Sequence, residues 1–322
     1  MKIVFRTHAS PGIGFGHLNR CKILAEAIRC KGGDVTLLVD DHPLIHSFAG
    51  SSNIKYLQGP NLSEWPAADS CIVDLYCYDS SFYETLREKY EQIVIFDDFE
   101  YKVPHSVSAV INGNICAQST QYPHDLQTFA GIKYFLMRSE FLGKRQSSNA
   151  QKVFVCMGGS DPENQTNRLL KILSKFTARS IDAVFGPGFE DKAVIQKWSA
   201  HQQVTTHFDV SNISDLVKNA AFCISGAGSM LYELAHMGVP IACLSLVDHQ
   251  RLIAEAFSED KAVIYMGYFN EITDFQISSQ IHILDKDEKT RKELGQKAKT
   301  LVDGKGSQRL ANDLMTWLLR NL

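Results

Sequence analysis

Several signals are missing from these 322 residues. No Cys-x-x-Cys pair occurs; the eight cysteines stand at positions 21, 30, 71, 77, 116, 156, 223 and 243. Most fall inside apolar strand or helix patterns, so buried free thiols in a reducing compartment are expected rather than a disulfide framework. The 33 Lys and Arg are scattered, with no run of about five or six like charges. At a net charge of −3, nothing advertises nucleic acid or an acidic membrane as partner. No apolar stretch approaches the length of a membrane span, and residues 1–8 lack the apolar core of a signal peptide. The expectation is a soluble, cytoplasmic monomer. The G-x-G-x-x-G fingerprint of a dinucleotide fold is missing as well.

What is present is globular: 44% hydrophobic and 21% charged residues, enough for two cores. Short apolar runs alternate with segments of helical period. That pattern predicts an α/β protein of two doubly wound, Rossmann-like domains facing a cleft, at residues 1–146 and 151–305. The polar, small stretch 144–151 reads as the linker. Residues 306–322 are left as a C-terminal helix that packs back on the first domain, with Leu310, Leu314, Leu318 and Leu319 on one side. Both halves open with strand, glycine-rich loop and helix.

The first of those loops is the most informative stretch. Residues 11–20 read Pro-Gly-Ile-Gly-Phe-Gly-His-Leu-Asn-Arg, between the apolar run 3–5 and a helical segment. Glycines let the backbone turn tightly and let a substrate approach, and the helix start offers N–H groups to it. His17 stands at that start, where the helix dipole disfavours its cation, so a neutral proton acceptor is expected. A tight turn with no further role is the plain alternative. In an open parallel sheet ligands collect beyond the carboxyl ends of the strands. This puts Asp74 and Tyr76, after the run 70–74, in reach of a substrate, although a helix cap and a packing aromatic would explain them equally. The acids Asp97 and Asp98 end another strand. They lack the D-x-D spacing and a third ligand, so bracing is favoured over a metal, and neither a metal nor a cofactor is expected.

The second informative stretch is Ser225-Gly226-Ala227-Gly228-Ser229, between a strand and a helix. Its amides and hydroxyls suit a phosphate. Glu233, one turn on, suits a ribose diol. The Gly186-Pro187-Gly188 turn belongs to the same set.

These motifs carry a resemblance. The run 3–6, the phrase 13–17 with Arg20, Val73-Asp74 with Tyr76, Phe96-Asp97-Asp98, Cys156-Met157-Gly158-Gly159 with Asp161, and the helix start 225–233 together resemble the PseG family, the UDP-sugar hydrolases of pseudaminic acid biosynthesis. Part of the pattern fits the wider GT-B group of MurG transferases and SpsG-type spore-coat proteins. The resemblance covers nearly the whole chain. It implies hydrolysis of UDP-2,4-diacetamido-2,4,6-trideoxy-β-L-altropyranose to UDP and the free sugar, by C–O cleavage with inversion and without a metal. The product would serve a surface glycan such as that of flagellin. It implies His17 as general base and Tyr76 as its neighbour; the family carries His where this chain has Leu75. Arg6, Gly14, Gly16, Asp74, Tyr76 and Asn112 are the expected sugar contacts. Gly158, Gly159, Phe185, Gly186, Ser225, Gly226, Gly228, Ser229, Glu233 and Gln250 are the expected UDP contacts. Two other readings fit the same residues: a GT-B glycosyltransferase with a UDP-sugar donor, and a UDP-sugar binding protein without turnover.

Overall fold

The computed structural model describes residues 1–9, 15–43, 45–46, 53–57, 61–75, 79–98, 103–119, 122–143 and 150–322. Residues 11–14 of the first glycine-rich stretch, Gly14 among them, lie outside the described residues, as do Tyr76, Cys77 and 144–149 of the expected linker. The chain divides into two compact units, Met1–Met137 with Gly304–Leu322, and Arg138–Asp303.

Unit 1 is built on seven strands: β1 (Lys2–Thr7), β2 (Asp34–Asp40), β3 (Ile54–Leu57), β4 (Ser70–Asp74), β5 (Gln92–Phe96), β6 (Ala109–Asn112) and β7 (Gln127–Ala130). They form one parallel sheet in the order β3-β2-β1-β4-β5-β6-β7. Strand alternation sends Ile3 and Phe5 of β1 into one apolar cluster and Val4 into another, so both faces are covered. Helix α1 (Gly16–Arg29) covers the first face with Leu18, Cys21, Leu24, Ala25 and Ile28. The C-terminal helix Gly306–Asn321 completes that cluster with Leu310, Ala311, Leu314 and Leu318. Leu319, expected on the same side, is instead 68% exposed. It follows Leu318 by one residue, a turn of about 100°, which carries it off the buried stripe. Gly306 explains how closely this helix starts against unit 1: a Cβ there would stand 2.0 Å from the Phe135 carbonyl oxygen.

Unit 2 carries β8 (Lys152–Cys156), β9 (Ile181–Phe185), β10 (Val204–Phe208), β11 (Ala220–Gly226), β12 (Ile241–Ser245) and β13 (Ile264–Tyr268). They form a parallel sheet in the order β10-β9-β8-β11-β12-β13. Its core gathers Val153 and Val155 of β8, Phe222 and Ile224 of β11, and Leu169, Leu170 and Leu173 of the helix Gln165–Leu173.

Each sheet reverses its winding once. In unit 1 the chain steps outward one way from β1 and the other way from β4; in unit 2 the same happens at β8 and β11. Crevices for ligands open at such points, beyond the strand ends. Thr7 and Asp74 lie side by side at the first, and Cys156 and Ser225 at the second.

Candidate active site

Asp74 ends β4 and is 1% exposed. His17, second residue of α1 and 8% exposed, brings Nδ1 to 2.6 Å from Asp74 Oδ1. Arg20, one turn on along α1, donates from Nε to Asp74 Oδ2 and from Nη2 to Asp74 Oδ1, both at 2.6 Å. Its Nη1 donates to Asp98 Oδ2 at 2.6 Å, and its guanidinium stands 4.7 Å from the Phe96 ring centre. Burial pushes the Asp74 carboxyl up, but the Arg20 guanidinium and then His17 outweigh it and hold the group well below the usual carboxylate range. Burial likewise works against the Arg20 charge, and Asp74 and Asp98 overrule it, raising Arg20 well above its ordinary value.

This settles the tautomer of the histidine. Nδ1 lies within reach of both Asp74 Oδ1 and Arg20 Nη2, the latter at 3.1 Å. An ionised carboxylate only accepts, so a 2.6 Å contact needs the proton on Nδ1. The Arg20 Nη2 hydrogen then goes to Asp74. With Nδ1–H donated to Asp74, the lone pair of the neutral ring is on Nε2. Asp74 is therefore the group that orients His17.

Of the other expected sugar contacts, Arg6 and Asn112 have partners within unit 1. Arg6 is 2% exposed; its guanidinium pairs with Asp40 and donates to the Thr7 carbonyl at 2.7 Å, which makes it a brace between β1 and β2. Asn112, at the end of β6 and 3% exposed, donates to Tyr122 Oη at 3.0 Å and accepts from the Asn114 amide at 3.1 Å. Tyr122 in turn donates to Asp97 at 2.8 Å. Gly16 opens α1, and among the described residues a Cβ on it would meet nothing within 4 Å. Leu75 is half-buried and packs on the second apolar cluster of unit 1.

In unit 2 the expected nucleotide residues gather at the ends of β8, β9, β11 and β12. Gly158 takes φ +108°, a conformation that side chains rarely adopt. The turn after β9 lies against the turn after β8. A Cβ on Gly186 would fall 2.3 Å from the Gly159 carbonyl oxygen, and the Gly188 amide donates to that oxygen at 2.9 Å. Asp161 accepts from the Gln165 and Thr166 amides, both at 2.8 Å, so it caps the helix Gln165–Leu173 and holds the same turn. Gly226 and Gly228 lead into the helix Ser229–His236, whose start has no side-chain cap. Its first amides are thus available to an anion. Among the described residues the Ser225 hydroxyl is buried without a hydrogen-bond partner, and Ser229 is exposed. Gln250 accepts from the Leu246 amide at 3.0 Å, and its Nε2 lies 3.5 Å from where a Cβ of Gly228 would stand. Phe185 is 1% exposed and stacks on Phe189 at 4.8 Å, a core position.

Glu233 is 2% exposed, and both its oxygens are held by one side chain: Arg138 Nε at 2.7 Å and Nη2 at 2.6 Å. Burial opposes the Arg138 charge, and Glu233 more than restores it. Arg138 has no place in the sequence reading. It is an isolated cation 95 positions from its partner, and no periodicity links the two. Among the described residues no group of three or more His, Cys, Asp or Glu is arranged to hold a metal ion.

No family model matches the chain. An uncharacterised protein of Methanocaldococcus jannaschii is 24% identical over 279 residues, which take in 78% of this chain and 57% of that protein. The UDP-2,4-diacetamido-2,4,6-trideoxy-β-L-altropyranose hydrolase of Campylobacter jejuni is 26% identical over 271 residues, 79% of this chain and 95% of the hydrolase. Among solved structures, MurG of Acinetobacter baumannii superposes with a TM-score of 0.69 at 13% identity, covering 98% of this chain and all of that one. The chain has the GT-B fold. Its two parallel sheets, each with one reversal of winding, are the two halves of that fold. The likeness to MurG extends to the fold alone; the likeness to the hydrolase is one of sequence along most of both chains.

Proposed function

We propose that this protein is a nucleotide-sugar hydrolase that releases UDP from UDP-2,4-diacetamido-2,4,6-trideoxy-β-L-altropyranose, a step of pseudaminic acid biosynthesis. The observation that carries the reading is the buried His17–Asp74 pair at the winding reversal of unit 1, with Nδ1 committed to the carboxylate at 2.6 Å. The sequence similarity to the C. jejuni hydrolase supports the substrate.

In this mechanism His17 Nε2 takes a proton from water as the water oxygen bonds to the anomeric carbon. The bond from that carbon to the UDP oxygen breaks, its electron pair leaves with UDP, and the anomeric centre inverts. Asp74 holds the imidazole in place and stabilises the imidazolium that forms. Unit 2 supplies the nucleotide grip. The amides at Gly226 to Ser229, with the Ser225 and Ser229 hydroxyls, meet the diphosphate and favour the charge it gains on leaving. Gly158, Gly159 and Gly186 let the phosphates approach the backbone. Glu233, fixed by Arg138, takes the ribose, and Gln250 braces the turn beside it. Gly14, Gly16 and Tyr76 line the sugar. Arg6 and Asn112 hold the strand ends that carry the site, and Phe185 backs the nucleotide turn from the core.

The reading takes one chain as the working unit, because base and nucleotide grip both belong to it. It places the protein in the cytoplasm. Cys21, Cys71, Cys156 and Cys243 are buried free thiols, which suit a reducing compartment. Among the described residues no helix is long and apolar enough to cross a membrane.

Turnover of the UDP-sugar in heavy-oxygen water tests the reading. Label in the sugar and none in UDP is the expected result. Label in UDP means attack at phosphorus and removes His17 from its role. Turnover only after an acceptor alcohol is added makes the protein a transferase.

A further inference from the structure

The cluster behind His17 holds one more carboxylate than orienting a histidine requires. Asp74 and Asp98 both bind Arg20, and among the described residues no other Lys or Arg pairs with either. Two carboxylates against one guanidinium leave one negative charge over while the imidazole is neutral. That surplus vanishes once the imidazole carries a proton. Asp98 reaches the histidine through Arg20: Oδ2 takes Arg20 Nη1 at 2.6 Å, while Oδ1 accepts from Asn114 Nδ2 at 3.1 Å. The same guanidinium grips both oxygens of Asp74, which is 1% exposed, so the relay is rigid and largely out of water.

We propose that Asp98 is a positioning residue for the base: acting through Arg20, it supplies the negative charge that balances the imidazolium His17 becomes on accepting a proton. The inference rests on the hydrolase reading and deepens it. Without Asp98, the Arg20 cation stands beside the imidazole with only Asp74 to offset both, and accepting the proton becomes harder. Without Arg20, two carboxylates stand near the imidazole with no cation between, and accepting it becomes easier. The two removals therefore act in opposite directions. Among the described residues, other charged and titratable groups near the cluster have partners of their own. Cys21 on α1 points its thiol at Asp74 Oδ2, and burial and Asp74 raise that thiol well above its ordinary range. Arg6 and His8, on β1 and just beyond it, pair with Asp40. Asp97 accepts from Tyr122.

The test compares Asp98→Asn, Asp98→Glu and Arg20→Gln with wild type in the pH profile of kcat/KM for the UDP-sugar, and in the NMR titration of the His17 ring. In Asp98→Asn the acid limb of the profile and the ring titration both move down by about half to one pH unit. Its kcat falls about tenfold, while KM stays within about twofold of wild type. Asp98→Glu keeps the charge and restores the limb. In Arg20→Gln the limb moves up. Should Arg20→Gln fail to fold, the two Asp98 variants decide the matter alone. An Asp98→Asn enzyme that loses activity with its limb unmoved, one that keeps full activity, or an Asp98→Glu no better than Asp98→Asn overturns the proposal. If wild type leaves the UDP-sugar intact, the hydrolase reading falls, and the ring titrations still decide whether Asp98 governs His17.

Discussion

At the scale of single residues, His17 and Glu233 divide the proposed chemistry. His17→Asn keeps a hydrogen-bonding amide but removes the proton acceptor. Turnover is expected to vanish while UDP affinity, read by calorimetry, stays within about threefold, since a proton acceptor contributes to the reaction rather than to ground-state binding. A large loss of UDP binding would mean that His17 holds the ligand. Glu233→Ala is expected to weaken UDP by roughly 1–3 kcal/mol through a lost charged hydrogen bond. Unchanged affinity would reduce Glu233 to the structural partner of Arg138. Asp74 makes a third prediction. Its carboxyl is held low in the fold by Arg20 and His17, against burial. Its contribution to stability is therefore complete above the ordinary carboxylate range near pH 4 and is lost as pH falls through the lower, folded value. Urea midpoints of wild type are expected to drop on acidification below about pH 4, and those of Asp74→Asn to drop less. Parallel curves would show that other carboxylates govern acid unfolding.

At the scale of elements, the two glycine-rich turns behave differently under substitution. Gly186→Ala puts a Cβ 2.3 Å from the Gly159 carbonyl, so backbone must shift. A loss of about 1–3 kcal/mol of stability is expected in denaturant titration, with weaker UDP binding. Gly16→Ala meets none of the described residues at the start of α1. Its stability should hold, and any fall in turnover then reports contact with the substrate. The elements were legible where the pattern was strong. The run 70–74 reads as a strand and is one at those bounds, buried throughout, because buried parallel strands are near-continuous apolar runs. β7 and β13 escaped notice. Each lies at a sheet edge, with Gln127 and Thr128 in one and Gly267 in the other interrupting the apolar run. The site was legible in part. The glycine-rich turns and His17 announce themselves locally, by spacing. The partners do not: Asp74 is 57 positions from His17, and Arg138 is 95 from Glu233. Pairing at such separations is decided by strand order, which a single sequence leaves unstated. Hence Asp74, expected at the sugar, is paired with His17 and Arg20, and Arg6, expected beside it, is paired with Asp40 of β2.

At the scale of the molecule, the C-terminal helix is part of unit 1 although unit 2 precedes it in the chain. Leu314 is fully buried in the cluster shared with α1, and Tyr134 Oη donates to Asp313 at 2.9 Å. Leu314→Ala is expected to cost about 2–5 kcal/mol, and to do so selectively. In an unfolding experiment that follows each unit by its own probe, the transition of unit 1 should move to lower urea and that of unit 2 should stay. Equal shifts in both would mean that the units unfold as one.

The same arrangement sets an order of assembly during translation. When residue 137 leaves the ribosome, all seven strands of the first sheet have been made, yet the groove beside α1 has nothing to fill it. Unit 2 is contiguous, from Arg138 to Asp303, and has its whole core as soon as it emerges. The half that is synthesised first is thus the half that closes last, and for the time it takes to make the intervening 166 residues the stripe awaiting Leu310, Leu314 and Leu318 is open to chaperones and to other nascent chains.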